Sequence, residues 1–92
     1  MADEVMEKEF RIGNRYGLHG RTSARLVETA RRFEADVRLI RDGEAVDCKS
    51  ILDVLTLACG QGTPVTIRIE GPDARVAMAA LEQLVENRFD EE

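Results

Sequence analysis

Several residue types are scarce in this chain of 92 residues, and each shortage narrows its possible functions. Tryptophan is absent and aromatic residues make up only 4% of the chain, which argues against a sheet that stacks RNA bases. The one histidine and the two separated cysteines, Cys48 and Cys59, supply no plausible set of zinc ligands. The sequence therefore predicts no metal site, and no RNA-stacking surface.

An excess of basic charge and long apolar runs are also lacking. With 13 basic and 18 acidic residues the net charge is −5, which weighs against nucleic-acid binding driven by bulk charge. No run approaches the roughly 20 apolar residues of a membrane span, and residues 1–9 lack the apolar segment of a signal peptide. Two isolated cysteines are typically small buried residues of a protein in a reducing compartment, although a disulfide bond between Cys48 and Cys59 stays open. We therefore expect a cytoplasmic protein with no membrane insertion.

The length and the overall balance of residues suit a small globular protein. A chain of this size buries roughly 60–65% of its unfolded surface, which favours a carrier, a binding module or a regulatory domain over an enzyme with a deep cavity. Hydrophobic residues at 43% and charged residues at 34% are ordinary for a folded chain. The sequence predicts a single domain over residues 1–92, with an ordered part of about 9–88 between short acidic tails.

Hydrophobic periodicity predicts an α+β fold. Strands are expected over 9–13, 36–41, 44–48 and 64–70, and helices over 20–33, 50–58 and 73–87. Asp42-Gly43 predicts a tight antiparallel hairpin between the second and third strands. Because each strand has one apolar face, the order β-α-β-β-α-β-α favours one sheet with helices packed against that face.

His19 lies between the first predicted strand and the first predicted helix, with Gly17 and Gly20 close by. The small neighbours let the backbone approach a ligand, and the free amides of a helix start favour an anion. Arg21 adds planar donors that suit phosphate. Since imidazole is a nucleophile near neutral pH, this pattern would suit a phosphoryl group on His19. The alternative is a surface histidine that only caps a helix.

Four motifs together resemble the HPr family, the histidine-containing phosphocarriers of the bacterial sugar phosphotransferase system. They are, in chain order, Gly17-Leu18-His19-x-Arg21, Lys49-Ser50-Ile51, Gln61-Gly62-Thr63 before a Val/Ile strand, and Glu70-Gly71 before the last helix. The resemblance implies an open-faced β-sandwich in which three helices cover one face of four antiparallel strands. It spans about residues 9–88.

The resemblance also implies roles for three residues. His19 would accept a phosphoryl group on Nδ1 from phospho-enzyme I, charged by phosphoenolpyruvate, and pass it to a IIA domain or protein. Arg21 would stabilise that phosphate. Ser50 would be the regulatory serine that an HPr kinase/phosphorylase modifies in many bacteria, although serine is also a common helix cap. Such a protein is a stoichiometric carrier without a cofactor, not an enzyme.

The chain departs from the family pattern at three positions. Thr22 stands where proline is usual, Gly20 where alanine or threonine is common, and Tyr16 where asparagine is usual. Thr22 is expected to loosen the first helical turn slightly, while its hydroxyl offers an extra cap or a phosphate donor. These changes bear on the rate of transfer and on partner preference more than on the identity of the family. They keep open a regulatory interaction module that acts through Ser50 or by binding a transcriptional regulator.

The short helix after Ser50 is apolar on more sides than a helix on a sheet requires. The surplus is either buried or available to a partner. In the resemblance, residues just after the regulatory serine contact enzyme I and IIA proteins. We therefore predict a docking patch beside His19, formed by Ile51, Leu52 and Leu55. The alternative is a deeply buried helix.

Basic residues crowd the first third of the chain despite its net negative charge. A local positive potential near His19 would steer an acidic partner toward the site. The alternative is an ordinary solvated helix face. Arg25 is accordingly predicted to assist docking, as one of six arginines in this region: Arg11, Arg15, Arg21, Arg25, Arg31 and Arg32.

Overall fold

A computed structural model describes residues 3–91 and contains the predicted elements in the predicted order. A short 3₁₀ turn over Arg88–Asp90 follows the last helix. The bounds are β1 (Glu4–Arg11), α1 (Gly20–Arg31), β2 (Asp36–Arg41), β3 (Glu44–Asp47), α2 (Ile51–Thr56), β4 (Pro64–Gly71) and α3 (Ala74–Glu86).

The four strands form one antiparallel sheet in the order β1-β4-β2-β3. On the central strand β4, Val65, Ile67 and Ile69 are buried while Arg68 and Glu70 are exposed. This alternation gives the sheet one apolar and one polar face, and the helices cover the apolar one. The open-faced sandwich of four strands and three helices is confirmed.

The first strand is longer at its start than predicted, and the predicted N-terminal tail is partly wrong. β1 begins at Glu4 instead of residue 9 and ends at Arg11 instead of residue 13. It pairs with β4 along its whole length, from Glu4 opposite Gly71 to Arg11 opposite Pro64. Because β1 is an edge strand with mostly exposed side chains, backbone pairing forms it without a clear hydrophobic alternation.

The short helix α2 ends at Thr56, two residues before the predicted end. Ala58 has a φ of 51°, a left-handed conformation that does not continue a helix. The Arg41 guanidinium donates to the carbonyl of Leu57 at 2.6 Å and to that of Ala58 at 2.8 Å. A side chain of β2 thus satisfies carbonyls that the end of the helix leaves without partners.

The expected C-terminal tail is packed, in contrast to the prediction. Phe89 is fully buried, and the backbone of Arg88, Phe89 and Asp90 is left-handed. The Arg25 guanidinium of α1 donates to the carbonyl of Phe89. Burial of a phenylalanine side chain contributes about 1.5–3 kcal/mol, enough to hold such a turn. Residue 92 of the predicted tail lies outside the described residues.

Within residues 3–91, no helix has the length and apolar character needed to cross a membrane.

Candidate functional site

His19 is the N-cap of α1 and its ring is accessible. Its Nδ1 accepts a hydrogen bond from the Arg21 backbone N–H at 3.3 Å. The His19 N–H in turn donates to the Thr22 hydroxyl at 3.1 Å, which completes a reciprocal capping box. The His19 side chain is 39% exposed. The ring therefore faces the helix start and solvent together, as the predicted phosphoryl site requires.

Thr22 is a cap and not a phosphate donor, because its side chain is fully buried. Its hydroxyl donates to the carbonyl of Gly17 at 2.7 Å while it accepts from His19. The hydroxyl therefore joins the start of α1 to the loop before it. The first turn is secured by these bonds in place of the preset backbone angle that proline provides.

Gly17 brings this loop against the segment that follows α2. Its φ is +68°, and a Cβ there would lie 2.4 Å from the Cys59 carbonyl oxygen. The next residue, Leu18, donates its N–H to the same oxygen at 2.8 Å. Only glycine combines that angle with that approach. The loop that carries His19 is thus fixed to the end of the α2 region.

The other ring nitrogen of His19 contacts a residue that was not predicted to belong to the site. Nε2 lies 2.6 Å from Oε2 of Glu91, at the far end of the chain. Oε1 of Glu91 accepts from the Asn14 amide at 2.8 Å, and that amide also donates to the Gly17 carbonyl at 2.8 Å. The hydrogen bond from Asn14, and next the one from His19, lower the pKa of the Glu91 carboxyl. The site is therefore a cluster of His19, Asn14 and Glu91.

Arg21 and Arg25, the two arginines predicted to act at the site, lie in different environments. Arg21 is exposed beside the cluster, and its positive charge helps to lower the pKa of Glu91. Arg25 is half-buried, and its guanidinium donates to the carbonyl of Phe89. The predicted docking role of Arg25 thus competes with a structural contact that closes the C-terminal turn onto α1.

Tyr16 gives the site an aromatic rim. Its ring meets that of His19 edge-on, with centroids 6.5 Å apart and planes at 81°. The Arg15 guanidinium lies 5.3 Å from the centroid of the Tyr16 ring. Tyr16 is 65% exposed, so a large amphipathic side chain borders His19 where the resemblance leads one to expect asparagine.

Ser50 is the N-cap of α2, as its position predicts. Its hydroxyl oxygen accepts from the Asp53 N–H at 3.3 Å. The Asp53 carboxylate accepts from the Asp47 N–H, also at 3.3 Å, and this strengthens the turn between β3 and α2. Ser50 itself is half-buried. Ser50 is therefore a simple cap, and the Asp53 side chain bonds the Asp47 amide instead of returning to Ser50.

The surplus of apolar residues on α2 lies at the surface. Leu52 is 76% exposed, Ile51 39% and Leu55 37%, while Val54 and Leu57 pack into the core. A deeply buried helix is therefore excluded. The name docking patch is kept below for Ile51, Leu52 and Leu55.

The fold and the site together define a class of protein: a small α+β module that presents an accessible imidazole at the start of a helix. Comparison with known proteins makes that class specific. Residues 6–87 match the family model described as the PTS HPr component phosphorylation site. The chain belongs to the HPr family, the phosphocarrier proteins of the phosphotransferase system, and so it is a phosphoryl carrier and not an enzyme.

Individual relatives agree with this assignment over nearly the whole chain. The phosphocarrier protein HPr of Xylella fastidiosa Temecula1 is 43% identical over 88 residues, which are 96% of this chain and 99% of the relative. That of Cupriavidus necator is 44% identical over 87 residues, covering 95% and 98%. The crystal structure of HPr-C-His from Thermoanaerobacter tengcongensis has a TM-score of 0.91 at 37% identity, covering 95% of this chain and 98% of that one.

Proposed function

We propose that His19 carries the phosphoryl group, accepting it from phospho-enzyme I and passing it to a IIA domain or protein. The observation that carries the proposal is the placement of Nδ1. It faces the Arg21 amide at 3.3 Å on a ring that is 39% exposed. A partner can reach this nitrogen, and the amide that now binds it can turn to a phosphate oxygen instead.

The transfer conserves atoms and charge without any further reactant. The lone pair of Nδ1 attacks phosphorus in phospho-enzyme I, and a nitrogen–phosphorus bond forms as the bond to the donor breaks and its electron pair leaves with the donor. In the second step a IIA nucleophile attacks phosphorus, and the electron pair of the broken bond returns to His19. The exposed guanidinium of Arg21 offsets the charge of the phosphoryl oxygens in both steps.

The docking patch supports a role in partner recognition. Its three side chains are accessible, and the nearby segment after α2 is bonded to the loop that carries His19. Exposed apolar clusters of this kind are typical of transient interfaces. We assign the patch to contacts with enzyme I and IIA proteins, with Arg25 contributing only the part of its side chain that is exposed.

Ser50 is proposed as a site of regulatory phosphorylation by an HPr kinase/phosphorylase. A phosphate there would add negative charge at the start of α2, next to Ile51 of the docking patch. The helix start tolerates that charge, so the fold would persist. Its effect would be repulsion of an acidic enzyme I surface and weaker docking.

The two free, buried thiols of Cys48 and Cys59 fit the reducing cytoplasm in which we place the protein.

The test is to mix the protein with enzyme I and phosphoenolpyruvate and to map any acid-labile mass increase. One phosphoryl group on His19 is expected, and none on His19→Ala with its fold retained by circular dichroism. A label on another residue, or an unchanged label on His19→Ala, contradicts the proposal. A wild-type protein that takes up no phosphoryl group while Ser50 is modified by a kinase would support the regulatory module instead.

A further inference from the structure

The carboxylate of Glu91 contacts Nε2 of His19, the ring nitrogen that does not react in the proposed transfer. We infer that Glu91 is a positioning residue, which holds the proton of the His19 ring on Nε2 and so leaves the lone pair on Nδ1 for phosphoryl transfer. This inference rests on the proposed function. It assigns a role to the end of the chain that neither the motifs nor the family resemblance supplied.

Two independent contacts select the same form of the ring. An ionised carboxylate can only accept hydrogen bonds, so Nε2, at 2.6 Å from Glu91, must donate. A backbone N–H can only donate, so Nδ1, at 3.3 Å from the Arg21 nitrogen, must accept. A neutral imidazole satisfies both contacts in a single tautomer, the one with the proton on Nε2. That tautomer has its nucleophilic lone pair on Nδ1.

The carboxylate is held in place by both of its oxygens. Asn14 is fully buried and donates to Oε1, while His19 occupies Oε2. The preceding turn is anchored by the buried ring of Phe89 and by the bond from Arg25 to its carbonyl. The Glu91 side chain is only 10% exposed as a result. It is a fixed partner of the ring, comparable to the carboxylates that orient histidines in other sites.

The contact also matches the charge that the transfer creates. When Nδ1 bonds to phosphorus and Nε2 keeps its proton, the imidazole ring gains positive charge. A carboxylate hydrogen-bonded to Nε2 stabilises that charge, as an aspartate does for the imidazolium of a serine-protease triad. The charge disappears when the phosphoryl group leaves, so the contact favours acceptance of the group by stabilising the charged, phosphorylated ring relative to the free imidazole.

The experiment compares wild type with Glu91→Ala, Glu91→Gln and the control Asp90→Asn. Asp90→Asn removes one negative charge from the neighbouring exposed residue. Asn14 and His19 bond different oxygens of the carboxylate, and glutamine has an oxygen at only one of these two positions, so it loses one of the two contacts. The ¹⁵N chemical shifts of the His19 ring report the tautomer, and rapid-quench assays report the rate of phosphoryl transfer from phospho-enzyme I.

We expect Glu91→Ala to lose the preference for the Nε2-protonated form and to accept phosphate about three- to tenfold more slowly, the size expected for one charged hydrogen bond at a partly exposed site. Glu91→Gln should be intermediate and Asp90→Asn should behave as wild type. An unchanged tautomer and rate in Glu91→Ala overturns the inference, and a faster rate overturns it in favour of a blocking contact.

The same data separate this inference from the proposed function. A wild-type protein that takes up no phosphoryl group overturns the proposed function and with it the kinetic role of Glu91. In that case the ¹⁵N shifts still show whether Glu91 selects the tautomer. Normal transfer by wild type and by Glu91→Ala leaves the carrier function standing and overturns the role of Glu91 alone.

Discussion

The hydroxyl of Thr22 bonds the backbone amide of His19 at 3.1 Å and the carbonyl of Gly17 at 2.7 Å, so one buried side chain sets the geometry of the loop that carries the imidazole. Proline, which the family resemblance leads one to expect at this position, has no group able to make either bond. The turn before α1 is therefore held by the threonine hydroxyl, whereas a proline at this position would hold it through its fixed backbone angle.

Removal of that hydroxyl should destabilise the protein. Thr22→Ala leaves the His19 N–H without its acceptor and removes one of the two hydrogen bonds that the Gly17 carbonyl accepts, the other coming from Asn14. We therefore expect a loss of about 1–2 kcal/mol in the free energy of unfolding. Urea denaturation followed by circular dichroism measures it. Thr22→Ser keeps the hydroxyl and is the matched control. Equal stability of the alanine and serine variants would show that the cap contributes nothing.

Replacement of the arginine beside His19 should slow the chemistry and leave the fold intact. The exposed guanidinium of Arg21 is available to phosphoryl oxygens, so Arg21→Ala should accept phosphate about three- to tenfold more slowly. Arg32→Ala, which removes an exposed arginine at the end of the same helix, is the control. The rate of transfer from phospho-enzyme I measures the effect, and equal rates for the two variants would remove Arg21 from the site.

A charge placed in the docking patch should weaken partner binding. Leu52 is 76% exposed, so Leu52→Asp should leave the fold intact while it weakens the complex with enzyme I about tenfold. Val76→Asp is the matched control because Val76 is 57% exposed on α3, outside the patch. Isothermal titration calorimetry gives both dissociation constants. If Val76→Asp weakens binding as much as Leu52→Asp does, α2 is not the docking surface.

The pH dependence of stability should reveal the carboxylate that joins α3 to the loop before β2. Asp73 accepts from the Glu34 N–H and the Ala35 N–H, each at 2.9 Å. The bond from Glu34 is the largest cause of its lowered pKa. Since the folded pKa lies below the ordinary 3.8, the stability that this group adds is present above that pH and is lost as pH falls through the folded pKa.

The measurement is the free energy of unfolding of wild type and Asp73→Ala between neutral and strongly acidic pH. The difference between them should be largest at neutral pH and should shrink below the ordinary pKa of the carboxyl. Glu86→Ala removes an exposed carboxylate at the end of α3 and serves as the control. A difference that stays constant across the whole range would contradict the assigned role of Asp73.

Elements with a strong local signal were predictable from the sequence. The alternation around Ile67 and the Asp42-Gly43 hairpin placed β4 and the β2–β3 turn correctly, because strand burial and turn geometry depend on neighbouring residues. The start of β1 was missed since an edge strand with polar side chains forms through its partner's backbone. The end of α2 was missed since Arg41, from another element, caps it.

The functional site divides in the same way. The Gly17-Leu18-His19 loop and Arg21 are contiguous in the chain, so their chemistry and their position at a helix start were visible in the sequence. Asn14 carried no predicted role, and Glu91 fell in a predicted acidic tail. No local pattern marks either residue as a partner of the imidazole, because their roles exist only once the C-terminal turn has packed.

By itself the sequence determined the α+β class, the order of strands and helices along the chain, the imidazole at the first helix and the apolar surplus of the second helix. Each follows from periodicity or composition within a short stretch, where propensity and burial act locally. Only the tertiary structure decided that a carboxylate 72 residues away would hold the His19 ring. That contact needs the buried Phe89 and the left-handed turn around it, and such long-range packing is decided by the whole core.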